Sequence, residues 1–172
     1  GPLAGPVVAA AVILPPSCSI RGIRDSKELT PLQRDALFGP ITHQAIAVGV
    51  GIVDNETIDR INILKATLLA MKEAVSRLAQ KPDYLLIDAL TLPEIKIPQK
   101  GIIRGDAQSV SIAAASIIAK VTRDRLMDQY HYGFPEYNFA VHKGYGTKEH
   151  FAKVKAYGPC RLHRKTFRGV AA

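Results

Sequence analysis

The chain has 172 residues, of which 47% are hydrophobic and 22% charged, a length and balance that fit one globular domain with a sizeable core and exclude a disordered chain. Its longest apolar run, Val7 to Leu14, is far too short to span a bilayer as a helix. Lysine and arginine outnumber the acids 23 to 15, for a net charge of +8, which points to a polyanionic partner such as nucleic acid; general solubility is the plainer account of the same excess.

Read in chain order, "VVAAAVIL" is β-branched and continuously apolar, the pattern of a buried strand. "TPLQRDALFGP" carries a helix start and stop: Thr30 as N-cap, Pro31 at the first position, Gln33 closing a capping box, and Gly39-Pro40 as the end. "QAIAVGVGIVD" reads as a second strand whose glycines mark close approach of another backbone. In "NILKATLLAMKEAVSRLAQKP", Leu64, Leu68, Met71, Val75 and Leu78 recur at helical spacing, and Pro82 is the expected stop. "YLLIDA" is a short strand ending in Asp88, and "KGIIRGD" another ending in Asp106. A long helix follows, with Val110, Ala114, Ile117 and Val121 on its expected buried face. "TKEHFAKVKAYGP" is the last helix, with Thr147 as N-cap and Gly158-Pro159 as stop. Strands and helices interleave, so the expectation is a single α/β domain, residues 1–172, built on a mixed sheet. Cys18 and Cys160 have no metal-type spacing and read as free thiols of a reducing, cytoplasmic compartment. No signal peptide is visible.

Ligands of open α/β sheets gather at the carboxyl ends of strands, where Asp88 lies. A carboxylate there needs a hydrogen-bond network or a metal, and a structural aspartate is the plainer alternative. Asp106 ends a second strand but also suits a helix N-cap. Asp124 is separated from Asp106 by eighteen residues, a rise of about 27 Å along a continuous helix, so it cannot share an ion with Asp106. Flanked by Arg123 and Arg125, it reads as a salt-bridged helix position. The candidate pair is Asp88 with Asp106. Two carboxylates without a Cys/His cluster suit a hard cation, Mg2+ or Mn2+, and metal-assisted phosphodiester hydrolysis.

Taken together, "GPLAGPVVAAAVIL", "DSKELT", "INILKATLLAM", "LLIDA", "RGDAQSVSIAAASIIAKVTRDRLM", "HKGYGT" and "YGPCRLHR" resemble bacterial ribonuclease HII, from Gly1 to about Arg168. The resemblance implies a ribonuclease H-like α/β fold, a mixed sheet flanked by helices with a C-terminal helical segment. It implies endonucleolytic cleavage of the RNA strand of RNA–DNA hybrids and at ribonucleotides embedded in duplex DNA. Two metal ions, Mg2+ or Mn2+, would take part, leaving a 5′-phosphate, in a monomeric enzyme with no membrane partner. Asp88 matches the metal-binding aspartate after the family's "LID" strand, and Asp106 the aspartate of its "KGD" element, written "RGD" here.

In the family, Asp-Glu-Ala-Gly-Arg precedes "GPLAGPVV". This sequence begins at the glycine that follows that segment, Gly1, so the expectation is a chain that starts late, without two further carboxylates, an arginine of the Gly-Arg-Gly element that reads the 2′-hydroxyl, and a first strand. Two other readings follow: a catalytically incomplete hybrid-binding fragment, and a nuclease of the same fold acting on DNA junctions, which leaves "HKGYGT" unexplained.

The remaining candidates concern nucleic acid. Ser26 and Lys27 sit on an expected loop, where a lysine with hydroxyl neighbours suits a phosphate, though a lone lysine is also ordinary surface charge. Asn62 begins a helix and either caps it or touches a backbone. His142, Lys143 and Tyr145 lie among glycines, an arrangement that suits a strand junction, against which stands a merely packed loop tyrosine. His163, Arg164, Lys165 and Arg168 form an expected basic tail for general electrostatic binding. Gly1 is carried over from the family's Gly-Arg-Gly element.

Overall fold

The structure, a computed structural model, describes residues 1–23 and 26–170. Arg24 and Asp25 of the "IRGIRDSK" stretch lie outside the described residues. The elements run β1 (Val7–Ile13), α1 (Pro31–Gln44), β2 (Ala47–Val53), α2 (Asn55–Ile61), α3 (Ile63–Ser76), β3 (Leu85–Asp88), β4 (Gln99–Ile102), α4 (Val110–Gly133), α5 (Phe139–His142) and α6 (Lys148–Tyr157). The α/β class expected from the interleaving is what the chain forms. Among the described residues its strands pair as two ladders, β1 with β2 and β3 with β4. No helix among the described residues is long and apolar enough to cross a membrane.

The chain divides into two compact units. The sheet unit comprises Val8–Ile52 and Leu68–Val121; the terminal unit comprises Gly1–Val7, Val53–Thr67 and Thr122–Ala172.

In the sheet unit, the capping box forms as the sequence demands: Gln33 N–H donates to Thr30 Oγ1 at 3.2 Å and Thr30 N–H to Gln33 Oε1 at 2.9 Å. Gly39-Pro40 does not end α1, which continues to Gln44 with Pro40 inside it. The burial of Ile41, fully covered against Leu29, Ile117 and Ile118, carries the helix through. β1 is only partly buried, with Ala9 alone fully covered, less than its unbroken apolar run suggested. On α4, Ala114, Ile117 and Val121 are buried as expected, whereas Val110 is exposed at the helix start. Each fully buried isoleucine of this core contributes roughly 1.5–3 kcal/mol relative to exposure.

The β2 glycines answer to α3. A Cβ at Gly49 would lie 2.0 Å from the Ala74 carbonyl oxygen, and one at Gly51 would lie 1.9 Å from that of Ala70. The fully buried face of α3 is therefore its alanine ridge, Ala66, Ala70 and Ala74, all at 0% exposure. The expected leucine face is secondary. Leu68, Met71 and Val75 pack partly buried on Leu85, Ile87 and Leu92, Leu64 is exposed, and α3 stops at Ser76, well before Pro82. Small residues win here because they let helix and strand backbones approach closely.

In the terminal unit, Ala4, Met127, Tyr137, Phe139 and Leu162 form the core. Thr147 caps α6, accepting from His150 N–H at 3.1 Å, and Gly158 ends it at φ +73°. His150 and His163 are fully buried within this unit. Burial first and the neighbouring His150 second push His163 down to about 4.

Two outcomes follow from this packing. Gly51→Ala must move a backbone carbonyl, so urea denaturation should show a loss of about 1–3 kcal/mol. Gly39→Ala, inside α1 with nothing within 4 Å of the new methyl, should instead stabilise by about 0.5–1 kcal/mol. Equal midpoints for the two variants would contradict the close approach. The second outcome concerns pH. Below pH 6.5 the unfolded chain takes a proton on His163 that the folded chain refuses until about pH 4. Stability is thus complete above pH 6.5 and falls as pH drops through that window, by roughly 3 kcal/mol from this residue. An NMR titration of His163 with a midpoint near 6.5 would refute it.

Candidate active site and nucleic-acid contacts

The carboxylate pair belongs to the sheet unit. β3 and β4 run parallel, in a register that sets Leu85 beside Gln99 and Asp88 beside Ile102. Parallel neighbours need a crossover connection, usually a helix. Here residues 89–98 cross without one, organised by the Gln99 side chain. Its Oε1 accepts from Leu92 N–H at 2.6 Å, and its Nε2 donates to the Leu92 and Ile95 carbonyls at 2.9 and 3.1 Å.

Because both strands end at the same level, Asp88 meets the turn after β4. Asp88 Oδ1 accepts from Gly105 N–H at 2.9 Å, so the turn that carries Asp106 closes on Asp88. Asp106 is not an N-cap. It lies in a 3-10 turn, Gly105–Ala107, and is buried at 5% exposure. Both carboxylates sit beside strained backbone. Ala89, directly after Asp88, has φ 56°, and Arg104, two residues before Asp106, has φ 55°. Left-handed conformations at non-glycine residues cost on the order of 1–3 kcal/mol each and gather at functional sites.

The loop before α1 supplies the neighbours. Lys27 Nζ stands 3.4 Å from Asp106 Oδ2, with the lysine side chain 80% exposed. An ion pair this open contributes little to stability. Ser26 is buried, its Oγ 2.6 Å from Ser116 Oγ of α4, so its hydroxyl serves the fold. The buried Arg34 fixes the same loop, donating to the Ser26 carbonyl at 2.6 Å and to that of Leu29.

Among the described residues, no group of three or more His, Cys, Asp or Glu is placed to hold a metal ion. Asp88 and Asp106 offer two hard-oxygen ligands. That donor set fits Mg2+, which keeps several waters and is held by one or two carboxylates together with substrate phosphates.

The second group belongs to the terminal unit. Tyr145 is 42% exposed on the loop between α5 and α6. Lys143 takes φ 50° and Gly144 φ +80°, and a Cβ on Gly144 would lie 2.6 Å from the Ala4 carbonyl oxygen. The chain's first residues pack here. Leu3 N–H donates to the Gly144 carbonyl at 2.7 Å, two residues after the exposed Gly1. Arg123 ties the two segments together. It donates to the Pro6, Lys143 and Ala4 carbonyls at 3.1, 2.9 and 3.0 Å, and its guanidinium lies 5.5 Å from the Tyr145 ring centroid.

Several expected contacts are internal. His142 is buried, with both ring nitrogens bonded to backbone. Lys143 Nζ pairs with Asp128 and donates to the Ala140 carbonyl at 2.7 Å. Asn62, exposed, caps α3 by accepting from Lys65 N–H at 3.1 Å. In the expected basic tail, His163 and Arg164 are buried, and only Lys165 and Arg168 are exposed. Arg164 donates to the Gly5 and Pro6 carbonyls at 3.0 and 3.2 Å, and burial, then Arg123, lower it to about 10. It stays charged at neutral pH. Sequence reading took Arg123 only as a flank of Asp124 and passed over His150. The available signal for Arg123 was its place four residues before Met127, a charge on the apolar stripe of a helix.

A family model described as ribonuclease HII matches residues 1–170. Ribonuclease HII of Geobacter metallireducens is 59% identical over 170 residues, covering 99% of this chain and 80% of that protein. The crystal structure of ribonuclease H2 from Pyrococcus horikoshii OT3 superposes with a TM-score of 0.81 at 25% identity, covering 99% of this chain and 90% of that one. Bst-RNase HIII, solved in complex with Mn2+, shares the fold at a TM-score of 0.70 and 19% identity, covering 99% of this chain and 64% of that one. With the "RGD" turn and the "HKGYGT" loop both inside a match of this identity and extent, the chain belongs to the ribonuclease HII family.

Proposed function

We propose that this chain cleaves the RNA strand of RNA–DNA hybrids, and duplex DNA at embedded ribonucleotides, with Asp88 and Asp106 as ligands of the divalent metal. The observation that carries the assignment is the bond from Gly105 N–H to Asp88 Oδ1, which sets one carboxylate a residue away from the other. The family supports a divalent cation in general; hard oxygen ligands favour Mg2+ or Mn2+ in particular. When bound, a pair of such ions supplies positive charge that lowers the pKa of water and stabilises the leaving 3′-oxygen, so that a 5′-phosphate is left.

The chain's own residues have separate tasks. Asp88 uses one oxygen to hold the turn and keeps the other for the ion. Asp106 brings a buried charge that the exposed Lys27 only partly balances, and an entering cation would complete the balance. Lys27 is the candidate phosphate contact, positioned by Ser26, which is itself tied to α4. Gly1 and Asn62, both exposed, are candidate backbone contacts. Tyr145 would lay its ring on the deoxyribose 3′ of the cut, where a ribose would present a 2′-hydroxyl. His142 and Lys143 hold the loop through their internal bonds rather than touching the substrate.

Asp88→Asn tests the metal assignment with little harm to the fold, because an asparagine oxygen can still accept from Gly105 N–H. We expect kcat/KM on a hybrid with Mg2+ to fall by roughly two powers of ten or more, about 2.7 kcal/mol of transition-state stabilisation. Hybrid binding and the unfolding midpoint should stay close to wild type. Wild-type cleavage by this variant at saturating Mg2+ would sink the assignment.

Tyr145 is tested by a ratio, cleavage of a single-ribonucleotide duplex over cleavage of an all-RNA hybrid. Tyr145→Ala should lower it by roughly one to two powers of ten, the loss of about 1–3 kcal/mol of ring contact. Tyr145→Phe keeps the ring and should keep most of the ratio. If both variants behave alike, the ring is not the junction reader.

A further inference from the structure

Three buried histidines lie beneath the Tyr145 loop, and their hydrogen bonds fix every ring proton. Gly144 N–H donates to His142 Nδ1 at 3.2 Å, so the His142 proton is on Nε2, which donates to the Tyr137 carbonyl at 2.7 Å. His150 Nδ1 is 2.9 Å from the Tyr145 carbonyl, which can only accept, so this ring carries its proton on Nδ1 and is an acceptor at Nε2. His163 Nε2, 3.1 Å from His150 Nε2, must then be the donor. Its Nδ1 is left to accept from Cys160 N–H at 3.0 Å. One proton per ring satisfies the whole chain, and a second proton on any ring would break a bond.

The rings also pack. His142 and His150 stack with centroids 4.3 Å apart and planes 17° apart, and Phe139 meets both edge-on at 85° and 89°. His150 and His163 are fully buried, and His142 nearly so. Burial, and then the adjacent His142, favour the neutral form of His150.

We propose that His142 and His150 are positioning residues for Tyr145: the stacked pair grips Gly144 by its N–H and Tyr145 by its carbonyl, and His163 holds His150 in the tautomer that makes this grip. The inference rests on the reading that the Tyr145 ring meets the substrate. The loop needs such a grip. With Lys143 and Gly144 both left-handed and Gly146 following, the backbone around Tyr145 has wide freedom unless its polar groups are held; backbone bonds join Tyr145 N–H to the His142 carbonyl at 2.8 Å and Thr147 N–H to the Tyr145 carbonyl at 2.9 Å, and the imidazoles tie this turn to the buried core. The Arg123 guanidinium restrains the ring; the histidines restrain the main chain from which the ring projects.

The test compares His150→Leu, which fills the space without a donor, with His150→Asn, whose amide nitrogen stands as far along the side chain as Nδ1 and can still donate to the Tyr145 carbonyl. In His150→Leu, amide hydrogen exchange at Gly144, Tyr145 and Thr147 should rise while that of α4 does not. The single-ribonucleotide to hybrid cleavage ratio should fall about tenfold, or ~1.4 kcal/mol. His150→Asn should recover most of both. Adding His150→Leu to Tyr145→Ala should lower the ratio no further, since the two act through one ring. Unchanged exchange at those amides, or additive losses in the double variant, overturns the proposal. If Tyr145→Ala leaves the ratio unchanged while His150→Leu still frees the loop, the substrate reading of Tyr145 fails and the grip stands. Ring 15N shifts of the unsubstituted protein test the grip without any variant. His150 protonated on Nδ1, with His142 and His163 protonated on Nε2, supports it; the opposite tautomer in any of the three overturns it.

Discussion

The parallel pairing of β3 with β4 is the constraint on which the carboxylate site depends. The Asp88–Ile102 pairing brings the end of β3 level with the turn after β4. A one-residue slip would turn the side chains to the opposite face and carry Gly105 N–H away from Asp88. The register is held from the other end of the crossover by Gln99, whose amide serves both the N–H and the carbonyl of Leu92. Leu85, Ile87 and Leu92 bury the same connection against α3. The strain at Ala89 and Arg104 is then sustained by surrounding structure that over-determines it, the condition under which such conformations persist.

The terminal unit solves a different problem. Its first residues form no helix, and only the Ala4–His163 bridge and the first residue of β1 pair them as strand, so the carbonyls of Ala4, Gly5 and Pro6 need partners. Arg123 and Arg164 supply them from inside the unit. A buried guanidinium is costly unless its fork of donors is matched; carbonyls match it without a carboxylate in between. A lysine could not replace either arginine, having one nitrogen where these contacts use two or three.

Features with local causes were legible in the sequence. The Thr30 capping box, the Thr147 cap, the Gly158 stop, the close-approach glycines of β2 and the strand-end Asp88 follow from residue type and short spacing. What sequence reading missed depends on partners far along the chain. Pro40 reads as a stop until Ile41 is known to be in the core. The leucines of α3 read as its buried face until Gly49 and Gly51 claim the alanine ridge. His142, Lys143, His163 and Arg164 read as binding groups because each is polar and near a glycine or a basic neighbour, and nothing local shows that their polar atoms are already used. Asp106 was placed in the right company for a partly wrong reason: it ends no strand and caps no helix, and its position comes from a turn that closes on Asp88.

This bears on how the net charge should be read. Of the 23 lysines and arginines, Arg34, Arg123 and Arg164 are buried on backbone carbonyls, and Lys143 is tied to Asp128. These cations add to the +8 without offering a donor to a phosphate, so the charge available to a nucleic acid is smaller than the composition suggests. Phosphate contacts in any case position a duplex without distinguishing one sugar from another. On the proposed reading of Tyr145, discrimination between ribose and deoxyribose comes from a group held at a fixed height above the sugar. In the terminal unit, Arg123 reaches the Tyr145 ring, and His142 and His150 hold the backbone that carries it. On that reading, placing Tyr145 gives Arg123 a task beyond its bonds to the Ala4, Pro6 and Lys143 carbonyls.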